Sequence, residues 1–217
     1  MSVLEPALAP SATAEAGSVV EVRPAWRIIA HRLSWAAVVL ALDLWSKAAV
    51  FAWLEPLRDS GRLPLHHCGL MSHPRYPLVG DWLAFMLSVN PGAAFGKFGD
   101  WPWLLVGGRC LAAVLLIWLI ARTPPGRKVV AIGLVLILGG ALGNLYDNLF
   151  LGLPHEGRPF GPVRDFIDVY FSGFDYHFAT FNVADSCITV GAVLLVASGL
   201  FGTAHKGAPE TPPPAAV

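Results

Sequence analysis

The chain has 217 residues, 55% of them hydrophobic and 14% charged, with no net formal charge and a mean hydropathy of +0.57. A soluble domain of this size carries about 25% charged residues, so the composition excludes an ordinary soluble globule and indicates an integral membrane protein. No Lys/Arg cluster resembles a phosphate-binding surface, which excludes nucleic acid as a partner.

In chain order, Met1 to Pro24 is rich in Ala, Pro, Ser and Glu and lacks the charged-then-apolar order of a cleaved signal peptide. It reads as disordered, and the tail is drawn over residues 1–27. A spanning helix needs about 20 mostly apolar residues, and four segments qualify, at about Leu33–Leu54, Trp101–Ala121, Val129–Tyr146 and Asn182–Phe201. A long loop with an apolar, Pro-rich middle (55–100) joins the first two, and a short basic turn, RTPPGRK (122–128), joins the second and third. Between the third and fourth, Val163–Tyr170 reads as a short strand or an extended loop. Residues 203–217 are a Pro-rich tail that also reads as disordered. The fold class expected is an all-α membrane protein, with four transmembrane helices and a small extracytoplasmic β-like or loop region, over residues 28–202.

Arg122, Arg127 and Lys128 in the basic turn lie on the same side as Arg23, Arg27 and Arg32. The positive-inside rule then puts both termini in the cytoplasm. The outer face receives the ends of spans one and three and the starts of spans two and four, where the polar residues converge. A carboxylate at the bilayer centre costs roughly 2.5–3.5 kcal/mol, so such residues usually face a protein interior and have a task.

Each polar motif has two readings. Asp43 and Lys47 stand at i,i+4 with the acid first, the order favoured for an intrahelical pair; a structural role suits them, including holding the outer helix ends together. Gly139, Gly140 and Gly143 permit close helix packing, whereas Asn144 and Asp147 are better explained by hydrogen bonding to a substrate or another carboxylate. Asn90, Pro91 and Gly92 form either a plain turn or the lip of a cleft. In Val163–Tyr170, strand geometry places Asp165 with Ile167 and Val169, and Asp168 on the other face with Arg164, Phe166 and Tyr170. Asn182 and Asp185 share a helix face at the start of span four; an N-cap role competes with a chemical one.

Arg109 in span two is expected to face the bundle or to snorkel. The cysteines, Cys68, Cys110 and Cys187, lack disulfide or metal spacing, and the two in apolar runs read as membrane-buried thiols. His66, His67 and Cys68 lack partners at ligand spacing. Neither a metal nor another cofactor is expected, and serine and zinc hydrolase signatures are missing.

Two aspartates without a metal suggest a pair sharing one proton, in which the ionised carboxylate activates water and the protonated one polarises the scissile carbonyl. The best pair from sequence is Asp165 with Asp185.

DLWSK (43–47), NPGAAF (90–95), GGALGNLYD (139–147), VRDFID (163–168) and FATFNVADS (178–186) together resemble the bacterial lipoprotein signal peptidase (signal peptidase II) family, in the family's order and over roughly residues 30–202. The resemblance implies a four-helix aspartyl endopeptidase of the bacterial cytoplasmic membrane that cuts prolipoproteins before a diacylglyceryl-modified cysteine. It implies Asp165 and Asp185 as the catalytic pair. Asn90, Gly92, Gly140, Asn144, Asp147, Asn182 and Ala184, with the first-helix pair Asp43 and Lys47, would support substrate and dyad. It also implies membrane lipids as partners and globomycin as an inhibitor in the substrate cleft. Where the family usually has Arg after the third-helix aspartate, this chain has Asn148, leaving Arg158 or Arg164 to replace that charge. The first extracytoplasmic loop (55–89) is also long. Two other classes compete. A proton-coupled small transporter would be expected to show an inverted repeat, which is not evident here; a non-enzymatic membrane scaffold would tolerate Asp→Asn at 165 and 185.

Overall fold

The computed structural model describes residues 24–68, 71–91, 101–151 and 159–202. The two tails expected to be disordered lie almost wholly outside the described residues, as does Gly92. Helix α1 (Ala25–Asp59) is followed by strands β1 (Leu65–Cys68), β2 (Met71–Val79) and β3 (Leu83–Asn90). Helices α2 (Pro102–Arg122) and α3 (Lys128–Phe150) come next, then β4 (Val163–Phe171), a short 3₁₀ turn, β5 (Tyr176–His177) and α4 (Val183–Gly202).

The expectation of an all-α protein is overturned. The strands form one five-stranded antiparallel sheet in the order β1-β2-β3-β4-β5. Val163–Tyr170, expected as a short strand or an extended loop, is β4; β2 is obscured because Pro74 and Pro77 lie inside it, and proline in a run of residues argues against a strand unless it sits at an edge or a bulge. Here the β2–β3 register shifts between Pro77 and Val79. A second shift, between Phe85 and Ser88, brings Ser88 opposite Asp165 on β4.

The count of four spans is also corrected. Among the described residues three helices, α1, α2 and α3, are long and apolar enough to cross a membrane, whereas the apolar stretch of α4, Val183–Gly199, is shorter. Its first turn belongs to the polar cluster described below. Helix α1 errs the other way. Its 35 residues reach about 52 Å, so the helix outruns the bilayer. Val50 and Leu54 near its end pack with Leu63 and with Phe166 of β4, so burial against the sheet carries the helix past the span expected from hydropathy.

A second core lies between the helices, from Ala36 on α1, Ala113, Leu116 and Ile120 on α2, and Leu134, Val135 and Leu138 on α3. Arg32 is buried beside it and donates to the carbonyls of Ile120, Thr123 and Pro124 at 2.9, 2.6 and 3.2 Å. Ile120 and Thr123 lie at the end of α2, at the negative pole of its dipole. Outward positions such as Trp45, Leu111, Val114 and Val193 are apolar and exposed, the pattern of a surface facing lipid.

Candidate active site

Lys47 is the centre of a buried polar network at one end of the bundle. It and Asp43 are fully buried and ion-paired at 2.7 Å. Its ammonium also reaches Asp147 Oδ2 at 3.4 Å and donates to Asn144 Oδ1 at 2.9 Å. A buried charge needs partners on this scale to remain ionised. Asp147 is completed by Arg164 of β4, which approaches Oδ1 through its side chain at 2.7 Å and Oδ2 through its backbone N–H at 3.0 Å. Both expected residues of α1 and both polar residues of α3 thus act together, tying α1, α3 and β4.

The other oxygen of Asp43 accepts the backbone N–H of Ala184 at 2.8 Å. That N–H is one of the four at the start of α4 without an intrahelical partner. Close approach of α1 and α4 to α3 depends on glycines, two of them beside the polar network. A Cβ on Gly143 would run into the Asp43 carboxylate, and one on Gly140 into the Ala184 carbonyl oxygen. Gly140 is therefore a packing position between α3 and α4.

At the start of α4 the cap and the candidate chemistry share the same atoms. Asn182 Oδ1 accepts the N–H of Asp185 at 2.9 Å, and Asp185 Oδ2 accepts the N–H of Asn182 at 3.2 Å. This is the reciprocal pairing of a capping box. The free ends of both side chains then reach outward. Asp185 Oδ1 accepts from Asn144 Nδ2 at 2.8 Å, and Asn182 Nδ2 donates to Asp165 Oδ1 at 2.7 Å. Asn182 is fully buried, Asp165 is 2% exposed and Asp185 is half-buried.

Asp165 is held in place by β4 and by its neighbours. The backbone of Ile167, two residues on, exchanges hydrogen bonds with Phe181 at 2.8 and 3.1 Å, which anchors the strand beside the start of α4. Asn90, at the end of β3, also hydrogen-bonds the Asp165 carboxyl. Burial, and then the negative charge of Asp185, push this carboxyl up from 3.8 to about 7; the bonds from Asn182 and Asn90 and the charge of Lys47 oppose the shift.

Asp165, Asp185, Asn90 and Asn144 line a largely apolar cavity of about 770 Å³. Asp168, on the same strand, belongs to a different cluster, paired with Arg75 at 2.7 Å and His177 at 2.9 Å. Of the two arginines expected to replace the charge absent at Asn148, Arg164 is on Asp147; Arg158 lies outside the described residues. Arg109, expected to face the bundle or snorkel, lines the cavity and donates to Asn148 Oδ1. An ionisable residue inside an apolar helix is itself the signal that marks it.

The family model described as signal peptidase (SPase) II matches residues 35–201. The chain belongs to the signal peptidase II family. It is 41% identical over 138 residues to a lipoprotein signal peptidase of Teredinibacter turnerae, covering 62% of this chain and 75% of that protein. It is 37% identical over 139 residues to one of Desulforapulum autotrophicum, covering 61% and 78%. Two solved structures described as a bacterial membrane enzyme, determined by the in meso method, share the fold of this peptidase at TM-scores of 0.62 and 0.58, each with 22% identity; they cover 84% and 80% of this chain and 95% and 94% of their own.

Proposed function

We propose that Asp165 and Asp185 form the catalytic pair with which this membrane endopeptidase removes signal peptides from prolipoproteins. The observation that carries the reading is Asn182, which accepts the backbone N–H of Asp185 through its amide oxygen and donates to the Asp165 carboxyl through its amide nitrogen, tying together two aspartates that line the cavity.

The chemistry follows from the different surroundings of the two carboxyls. Asp165, buried and pushed up to about 7, holds the shared proton. Asp185, less buried and open to the cavity, takes a proton from water, whose oxygen attacks the scissile carbonyl carbon. Asp165 passes its proton to the carbonyl oxygen, and the tetrahedral intermediate collapses as the C–N bond breaks, the leaving nitrogen collects a proton from Asp185, and one hydroxyl returns its proton to Asp165 as the carbonyl reforms. The pair titrates as a unit.

The remaining parts of the reading are supported by the sequence resemblance and by apolar surface around the cavity. The peptide lies in the cleft with its scissile bond before a diacylglyceryl-cysteine and the acyl chains in lipid, and globomycin occupies the same cleft. The enzyme sits in the bacterial inner membrane with both termini cytoplasmic and the site near the outer face, as the basic turn at 122–128 supports.

A gel-shift cleavage assay on a purified diacylglyceryl-prolipoprotein tests this. Wild type should cut, and Asp165→Asn and Asp185→Asn, each folded, should be inert. Undiminished cleavage by either variant would move the chemistry to another aspartate.

A further inference from the structure

Helix α2 contributes one charged side chain to the cavity, Arg109. The buried bases around it are neutralised at close range, Lys47 by Asp43 and Arg164 by Asp147, both at 2.7 Å. Arg109 differs. Among the described residues it forms no ion pair, and its hydrogen-bond partner is the neutral amide oxygen of Asn148. A guanidinium keeps its charge and carries five N–H donors in a fixed fork. In an apolar helix, donors left over from Asn148 have the cavity as their polar outlet. Asn148 is itself fixed: it is 3% exposed and its amide nitrogen donates to Gly161 O at 2.7 Å. Arg109 lines the same cavity as Asp165, Asp185 and Asn144, which places it on the dyad side of the cleft.

We propose that Arg109 is a substrate-binding residue, its guanidinium steadied by Asn148 so that the free donors grip a backbone carbonyl of the peptide in the cleft. A cation that the resemblance leads one to expect on α3 at position 148 is thus delivered to the same place from α2. The inference rests on the dyad reading, because the peptide must lie across Asp165 and Asp185.

The test is steady-state kinetics on a diacylglyceryl-prolipoprotein with Arg109→Met, Arg109→Lys, Asn148→Arg and the double variant Arg109→Met/Asn148→Arg, each checked by thermal melting in detergent. Loss of a charge-assisted bond made in both ground and transition states should raise KM in Arg109→Met about tenfold to a hundredfold with kcat within about threefold. Its pH profile should not move. Arg109→Lys should fall between, Asn148→Arg alone should be impaired by the second cation, and the double variant should recover most of the lost affinity. An unchanged KM in folded Arg109→Met overturns the proposal. So does a fall in kcat with a displaced pH profile, which would make Arg109 a regulator of dyad charge. If Arg109→Met does not fold, Arg109→Lys with wild-type KM overturns it and a raised KM upholds it. Asp165→Asn and Asp185→Asn run in parallel: activity in either tells against the dyad, independently of the KM of the Arg109 variants.

Discussion

Asp43 on α1 and Ala184 on α4, 141 positions apart in sequence, are joined by a hydrogen bond of 2.8 Å from the Ala184 backbone to the Asp43 carboxylate. The residue after Ala184 is Asp185. The first helix therefore fixes the orientation of the turn that carries one member of the proposed pair, and Lys47, 2.7 Å from Asp43, fixes Asp43 in turn.

Gly143 is where this alignment is most easily disturbed, since a Cβ there would run into the Asp43 carboxylate. Gly143→Ala should destabilise the protein by about 1–3 kcal/mol, the usual range for overpacking, and lower kcat/KM by shifting the start of α4. Thermal melting in detergent alongside the cleavage assay measures both. An unchanged melting temperature would show that the helices have room to spare.

Removing Lys47 leaves Asp43 and Asp147 as buried acids on either side of the gap. Lys47→Met should cost about 3–5 kcal/mol, as expected for one partner taken from a buried pair. Adding Asp43→Asn should restore part of this, because an amide oxygen still accepts from Ala184 while one uncompensated charge is gone. Denaturant titration of both variants is the check, and a double variant less stable than the single one would contradict it.

Asn182 has two duties that substitution can separate. Asn182→Ala should lose the cap, about 1 kcal/mol, together with about 10²–10³-fold in kcat, by the measure of other positioned polar groups in active sites. Asn182→Ser can still cap α4 but is too short to reach Asp165. It should melt near wild type while remaining poorly active. Full activity in Asn182→Ser would sever Asn182 from the dyad.

The pH dependence follows from Asp165. Its carboxyl, ordinarily at 3.8, is raised to about 7 in the folded protein, so the native state holds the proton more firmly than the unfolded chain. The resulting stabilisation is full below about pH 4 and is lost as pH rises to about 7. Asp165→Asn cannot ionise, so it should melt like wild type near pH 4 and above wild type near pH 8. Wild-type cleavage should decline above about pH 7 as the shared proton leaves. Coincident melting curves at pH 8 would remove the basis for this account.

Much of the site was legible because polar residues in apolar runs are conspicuous. Asp43, Lys47, Asn144, Asp147, Asn182 and Asp185 each interrupt or end such a run, and the bilayer gives a physical reason for every interruption. The capping and the chemical readings of Asn182 and Asp185 call on the same two side chains, which cap α4 and also reach Asp165 and Asn144. What it did not carry is pairing across distance. Of the sheet, β4 was legible at 163–170, but Pro74 and Pro77 mask β2, and strand register is a property of two segments together. The fourth span was expected from hydropathy alone, although the first turn of α4 is given over to the site. Arg158 and Arg164 were equal candidates for the charge absent at position 148 until the fold put Arg164 on Asp147, and Arg109 had no assigned partner until it put that residue beside Asn148. Local chemistry determined which residues had work to do; only the packing of α1, α3, α4 and β4 decided which of them touch, because contacts between distant segments depend on helix approach and strand register that no single segment encodes.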